Sequence, residues 1–207
     1  MIILINARIS KYKLVICRLF IFLKDEMNFN LLNKKILIID VESIGIHGEG
    51  YAVAGCLYDN FKLLDSFIYS CDPNLAEGSN IDRKWVEENI PKLDITHNST
   101  KEVRTSFLKY WIDINKVYKN VVMAAECSWP VEANFISKCI SESSENNNFN
   151  GPYPLYDISS IMASAGMDPL ATYMRVNDEI PKHNPLCDVK QSSRLLYKAL
   201  STINSKI

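Results

Sequence analysis

The first strongly patterned stretch, Lys35-Ile36-Leu37-Ile38-Ile39-Asp40-Val41-Glu42, runs through four consecutive apolar residues and closes on two acids. An unbroken apolar run of this length predicts a strand buried on both faces in the middle of a sheet. After a turn-like stretch over 43–50, residues 51–58 and 63–69 read as two further strands joined at Asp59-Asn60, a short polar connection of the hairpin kind. Three consecutive antiparallel strands follow. The period then changes from two to that of a helix: a short helix over 81–89 stops near Pro91, and residues 100–118 carry Val103, Phe107, Trp111 and Ile114 on one stripe. Val121–Ala125 predicts another buried strand, and Pro130 opens the turn into a helix over 131–140. The Ser- and Asn-rich segment 141–150 reads as a solvated loop, residues 153–158 as a last short strand, and 159–165 as a helix ended by Gly166. An irregular segment over 167–182 leads to a final helix from Pro185 to about residue 203. Strand and helix segments in this order predict a mixed sheet with helices packed on it.

The chain has 207 residues, of which 47% are hydrophobic and 23% charged, enough for one ordinary domain with a sizeable core. A formal charge of −1 supplies no global basic field, so contact with nucleic acid must rest on a local patch or on metal ions that offset phosphate charge. A tight sequence-specific duplex binder is disfavoured. The six cysteines are scattered, with no C-x-x-C pair and no zinc-finger spacing, and read as reduced, mostly packed thiols of a cytoplasmic protein. The apolar run over 14–23 follows Arg8, Lys11 and Lys13, but Arg18 interrupts it and it falls short of the roughly 20 residues a membrane span requires. Residues 1–26 are therefore expected to be an appended leader and residues 27–207 the single domain, with no membrane partner.

Three constellations could carry chemistry. Asp40 and Glu42, at i and i+2 on a strand, point to the same side of the sheet. Like charges held together raise each other's pKa unless a cation keeps them ionised, so a hard metal ion accounts for the pair, whereas acids ending a strand in water are the plainer alternative. In His183-Asn184-Pro185-Leu186-Cys187-Asp188, Pro185 opens the helix, Asp188 lies in its first turn and His183 precedes it. Such a histidine can take a proton from water that a carboxylate-bound metal polarises, or Asp188 simply complements the helix dipole. The third is Glu126-Cys127-Ser128-Trp129-Pro130-Val131-Glu132-Ala133-Asn134-Phe135-Ile136, with Glu126 ending a strand and Glu132 in the first turns of a helix, where a capping role is the plainer reading.

Taken in order, D-x-E on the first strand, an acid followed by x-x-Phe-aliphatic, and His-x-x-x-x-Asp opening the last helix resemble the DEDD superfamily of 3′-5′ exonucleases in its histidine-bearing branch. The resemblance spans about residues 35–200. It implies an α/β, ribonuclease H-like fold: a mixed five-stranded sheet, three antiparallel strands then two parallel, flanked by helices. It implies that Asp40, Glu42 and Asp188 hold two Mg²⁺ or Mn²⁺ ions about 4 Å apart and that His183 is the general base. The family's second motif normally supplies aspartate; here Glu132 matches it by its spacing to Phe135-Ile136, with Glu126 as the other claimant. Val41 and Ile44 could wedge against the terminal base, Trp129, Tyr51 or Tyr173 could stack on bases although core or surface filler is the plainer reading of each, and Lys190, Lys182 and Arg194 could touch phosphates. The expected partner is the 3′ end of single-stranded RNA or DNA. The glutamates of the second motif keep open a degenerate relative that binds without cleaving, and a phosphodiesterase acting on short oligonucleotides is the other alternative. Sugar preference and assembly state are left open, a homodimer included.

Overall fold

The computed structural model describes residues 31–143 and 151–205. The expected leader over 1–26 lies outside them, as does most of the expected loop over 141–150. Strands β1 (Lys35–Ser43), β2 (Gly50–Asp59) and β3 (Lys62–Ser70) form an antiparallel meander. Helices α1 (Asn80–Asn89) and α2 (Thr100–Val117) follow, then β4 (Val121–Ala125), α3 (Val131–Ser141), β5 (Leu155–Asp157), α4 (Ile158–Ser164) and α5 (Pro185–Asn204). The sheet order is β3-β2-β1-β4-β5, with β4 parallel to β1 and β5 parallel to β4. This is the mixed five-stranded sheet expected from the sequence.

Strand β1 is central because its residues bury on both faces. Leu37, Ile39 and Val41 pack with Val103, Phe107 and Trp111 of α2 and with Phe135 and Ile136 of α3. Phe107 and Phe135 meet edge to face with ring centroids 5.3 Å apart. On the other face Ile36, Ile38 and Asp40 lie opposite Tyr58, Cys56 and Ala54 of β2. Ser193 of α5 donates a 3.0 Å hydrogen bond to the Tyr58 hydroxyl, which fixes this as the face that α5 covers. Ile36, Leu37, Ile38 and Ile39 are at most 1% exposed. At about 1.5–3 kcal/mol for each fully buried side chain, these four hold the strand that carries Asp40 and Glu42.

Local chemistry sets the element ends. The expected strand over 153–158 is shortened to Leu155–Asp157 because the Asp157 carboxylate accepts from the Ser160 N–H at 2.8 Å and turns Ile158 into the first residue of α4. Helix α5 begins where expected, with Pro185 in its first turn and the Asn184 side chain accepting from the Leu186 and Cys187 N–H groups. Gly166 follows α4 at φ +82°, a left-handed conformation that costs glycine little. Among the described cysteines, Cys56, Cys71 and Cys139 are buried free thiols, Cys187 is half-buried and Cys127 exposed. No described helix is long and apolar enough to cross a membrane.

Candidate active site

The two parallel connections bring the carboxyl ends of β1, β4 and β5 to one edge of the sheet, the place where open α/β sheets form ligand crevices. Asp40 and Glu42 come from β1 on the face that α5 covers. Asp188 enters from the first turn of α5, Glu126 follows β4 directly, and Glu132 reaches in from the first turn of α3. One oxygen each of Glu42 and Asp188 and one ring nitrogen of His183 lie within 4.8 Å of one another. Asp40, Glu126, Lys182, Arg175 and Asp188 line a cavity of about 360 Å³ beside them.

The electrostatics of this cluster are those of crowded anions. Burial pushes the Asp40 carboxyl well above the usual range, and Glu42, Glu132, Asp188 and Glu126 push it further in that order. Burial, then Asp188 and Glu132, raise Glu42 to about 8. Glu132 is 5% exposed. Burial raises it to about 7 although its own N–H and that of Val41 bond its carboxylate, and Asp157 and Glu126 add to the rise. Among the described residues, no lysine or arginine forms an ion pair with Asp40, Glu42, Glu126 or Glu132. Oxygen donors with no cation of their own suit a hard divalent ion, so the residues present fit such an ion.

His183 holds a left-handed backbone at φ +62°, uncommon for a residue with a side chain. Its N–H donates to Asp188 Oδ2 at 3.2 Å, and its ring meets Trp85 of α1 edge-on, centroids 5.5 Å apart. Burial lowers the imidazole pKa below its ordinary value; Lys182 and Arg175 lower it further while Asp188 opposes them.

The structure brings Asp40, Glu42, Glu126, Glu132, His183 and Asp188 together, and both claimants to the second motif face the cluster. Glu126 accepts a short hydrogen bond from the Ser192 hydroxyl of α5. The expected wedge residues are elsewhere. Val41 alternates to the opposite face of β1 and is 6% exposed, and Ile44 is fully buried after an irregularity in register between Glu42 and Ser43. Neither has surface to offer a base. Gly78 crosses directly over Ile44, where a Cβ would sit 2.2 Å from Ile44 Cγ2, so the glycine permits the contact that seals it in. Tyr51 is likewise a core residue at 2% exposure. Trp129, on the turn between Glu126 and Glu132, is exposed, and Tyr173 lines the acidic cavity. Lys190 turns to Asp178, 3.9 Å away, and Arg194 is held by both carboxylate oxygens of Glu179.

The cations at the cavity are Lys182 and a residue the motifs did not indicate, Arg175, whose Nη1 donates to Asp188 Oδ1 at 2.5 Å. Trp85 was equally unannounced. An aromatic residue on the polar side of a short helix was the only signal of it, and Arg175 sits in a segment without periodicity.

No protein-family model matches the chain, and no curated protein matches its sequence. Its fold is similar to that of several solved structures. Pop2p of S. pombe, solved in a Mg²⁺- and Mn²⁺-bound form, is 12% identical, with 83% of this chain and 84% of that chain covered and a TM-score of 0.58. Exonuclease I of Methylocaldum szegediense is 12% identical, with 83% and 43% covered and a TM-score of 0.56. E. coli exonuclease I in complex with a dT13 oligonucleotide is 11% identical, with 83% and 42% covered and a TM-score of 0.53. The chain thus spans less than half the length of the two exonuclease I chains. The sheet and its flanking helices match the ribonuclease H-like fold of exonucleases.

Proposed function

We propose that the chain is a divalent-metal-dependent 3′-5′ exonuclease of the histidine-bearing DEDD branch, acting on single-stranded RNA or DNA from a single domain over 27–207 in the cytoplasm. One observation carries this reading: five carboxylates, Asp40, Glu42, Glu126, Glu132 and Asp188, crowd the carboxyl edge of the sheet, where burial first and neighbouring carboxylates after it push Asp40, Glu42 and Glu132 above their ordinary pKa. Such a cluster is costly unless a cation resolves it. The metal-bound form of Pop2p and the oligonucleotide complex of exonuclease I, both of similar fold, support the same reading.

Asp40, Glu42 and Asp188 would hold Mg²⁺ or Mn²⁺, with Glu132 as the second-motif acid and Glu126 beside it. Two such ions, when bound, acidify a water and stabilise the leaving oxygen. The rest falls to the chain. His183 is neutral near pH 7, because burial and two neighbouring cations lower its pKa, and so can accept the proton of the attacking water. The hydrogen bond from its backbone to Asp188 and the edge of Trp85 hold the imidazole over the acids. Trp129 and Trp85, both exposed, offer faces on which unpaired bases can stack.

The test is cleavage of 3′- and 5′-labelled single-stranded RNA and DNA, in a series of lengths, by wild type and Asp40→Ala with Mn²⁺, Mg²⁺ or EDTA. Stepwise loss from the 3′ end that needs metal and vanishes in the variant is expected. Binding of the polymers without cleavage would replace the enzyme by a degenerate binding protein, and cleavage of the shortest substrates alone would point to an oligonucleotide phosphodiesterase.

A further inference from the structure

We propose that Arg175 is a guanidinium latch on Asp188, competing with divalent metal in the free protein and passing to a nucleotide phosphate when metal and nucleotide bind. The inference rests on the metal site proposed above and adds a residue to it.

Both oxygens of Asp188 are engaged in the structure. Oδ1 accepts from Arg175 at 2.5 Å and Oδ2 from the His183 N–H at 3.2 Å. The ion pair is largely shielded, its side chains 18% and 17% exposed, so water screens it less than it would a surface pair. Arg175 also donates to the Glu179 carbonyl at 2.8 Å. Glu179 is 2% exposed and is held by Arg194 of α5 through bonds of 2.6 and 2.7 Å. Gln191 of α5 binds the Tyr173 carbonyl at 3.2 Å. The segment 173–179 is therefore anchored on the helix that carries Asp188, and Arg175 is set at the acid cluster by built contacts.

Of the five acids, Asp188 alone has a cationic partner among the described residues. A metal ion drawn to Asp40, Glu42 and Asp188 must displace that partner or share the carboxylate with it. A displaced guanidinium keeps its bond to the Glu179 carbonyl and is left in a cavity lined with Lys182, facing the metal site. Its planar fork matches a phosphate, and a nucleoside 5′-monophosphate supplies that group where a chain end would lie. Metal and nucleotide would then bind with positive coupling, since each relieves the cost of the other.

The test is Mn²⁺ binding followed by electron paramagnetic resonance, with and without AMP or dAMP, for wild type, Arg175→Gln, Arg175→Lys and Asp40→Asn. Loss of a competing charged hydrogen bond should tighten Mn²⁺ binding to Arg175→Gln about tenfold without nucleotide and weaken the nucleotide about tenfold with Mn²⁺ present. Arg175→Lys preserves the charge and guards against a folding defect; it should leave Mn²⁺ affinity near wild type yet still weaken the nucleotide, having lost the fork. Unchanged Mn²⁺ affinity in a folded Arg175→Gln, or unchanged nucleotide affinity in both variants, overturns the latch. Wild type that binds no Mn²⁺, or Asp40→Asn that binds it equally well, overturns the metal site itself.

Discussion

The indole of Trp85 stands edge-on to the imidazole of His183, centroids 5.5 Å apart and planes inclined at 77°. The contact joins α1 to the residue just ahead of α5, across the mouth of the acid cluster. Trp85 is itself 48% exposed, so part of the ring is open to solvent while it packs on the histidine.

Removing that edge should cost catalysis without costing metal. An aromatic pair of this geometry is worth about 0.5–1.5 kcal/mol, which converts to about a two- to tenfold fall in kcat for Trp85→Ala. Exposure of the imidazole should also raise its pKa towards the ordinary 6.5, because burial is the largest cause of its lowering. A base must be neutral to act, so the acidic limb of the kcat/KM profile moves to higher pH. Trp85→Phe should restore most of both effects. A pH–rate profile identical to wild type in Trp85→Ala would deny the ring any hold on His183.

Stability of the metal-free protein should fall as pH rises. Glu42 and Glu132 have folded-state values of about 8 and about 7 against an ordinary 4.5. Between pH 4.5 and those values the folded state holds protons that the unfolded chain has released, so the derivative of unfolding free energy with pH is negative. The stabilisation is fully present below about pH 4.5 and is lost by about pH 8. Divalent metal requires the ionised forms, so its stabilising effect should grow over the same window. Thermal unfolding between pH 5 and 8.5, in EDTA and in Mn²⁺, checks this. A melting temperature that rises with pH in EDTA is the contrary result.

The opposite sign is expected at Glu49. Burial pushes its carboxyl up, but bonds from Lys138, the Glu77 N–H, Arg104 and Thr100 outweigh it and hold the group at about 2. Its stabilisation is present above about pH 4.5 and is lost as pH falls towards 2. Arg104 and Lys138 each lie 2.7 Å from Glu49 Oε1, so the loop between β1 and β2 is tied to α2 and α3. Glu49→Gln takes one of two carboxylates from buried Arg104 and the partner from half-exposed Lys138, and should cost about 1.5–3 kcal/mol in urea unfolding. A loss under 1 kcal/mol would mean that Glu142, which also pairs with Arg104, satisfies the guanidinium alone.

Much of this arrangement is written locally in the sequence. The apolar run of β1 and the alternation of Asp40 and Glu42 place two acids on one face, and the proline after His183-Asn184 marks the helix start that presents Asp188. The same alternation sends Val41 to the opposite face, so its expected contact with substrate conflicts with the rule that placed its neighbours. Ile44 is harder to read, because the irregularity in register after Glu42 and the crossing of Gly78 bury it. Arg175 has no periodic context; it reaches Asp188 only because Glu179 is clamped by Arg194 fifteen residues further along the chain. Trp85 meets His183 through a contact between segments almost a hundred residues apart, and no local pattern encodes such a pairing.

Sequence spacing favours Glu132 over Glu126 as the second-motif acid without excluding either, and their surroundings predict an order of effects that can be measured. Glu132 is 5% exposed and bonded by the Val41 N–H, which ties it to the strand segment between Asp40 and Glu42. Glu126 leaves the end of β4 and accepts from Ser192, a hydroxyl that can serve an amide as well as a carboxylate. Glu132→Gln keeps the shape and removes a charge buried among the proposed metal ligands, so Mn²⁺ affinity and cleavage should both fall about a hundredfold. Glu126→Gln lines the cavity but retains a partner for Ser192, so its loss should stay near tenfold. Glu132→Asp would draw the carboxylate back by one methylene and sacrifice the Val41 bond, giving a decline between those two. Mn²⁺ titration of the three variants, read beside cleavage, checks the order, and a larger loss in Glu126→Gln than in Glu132→Gln would transfer the motif to the end of β4.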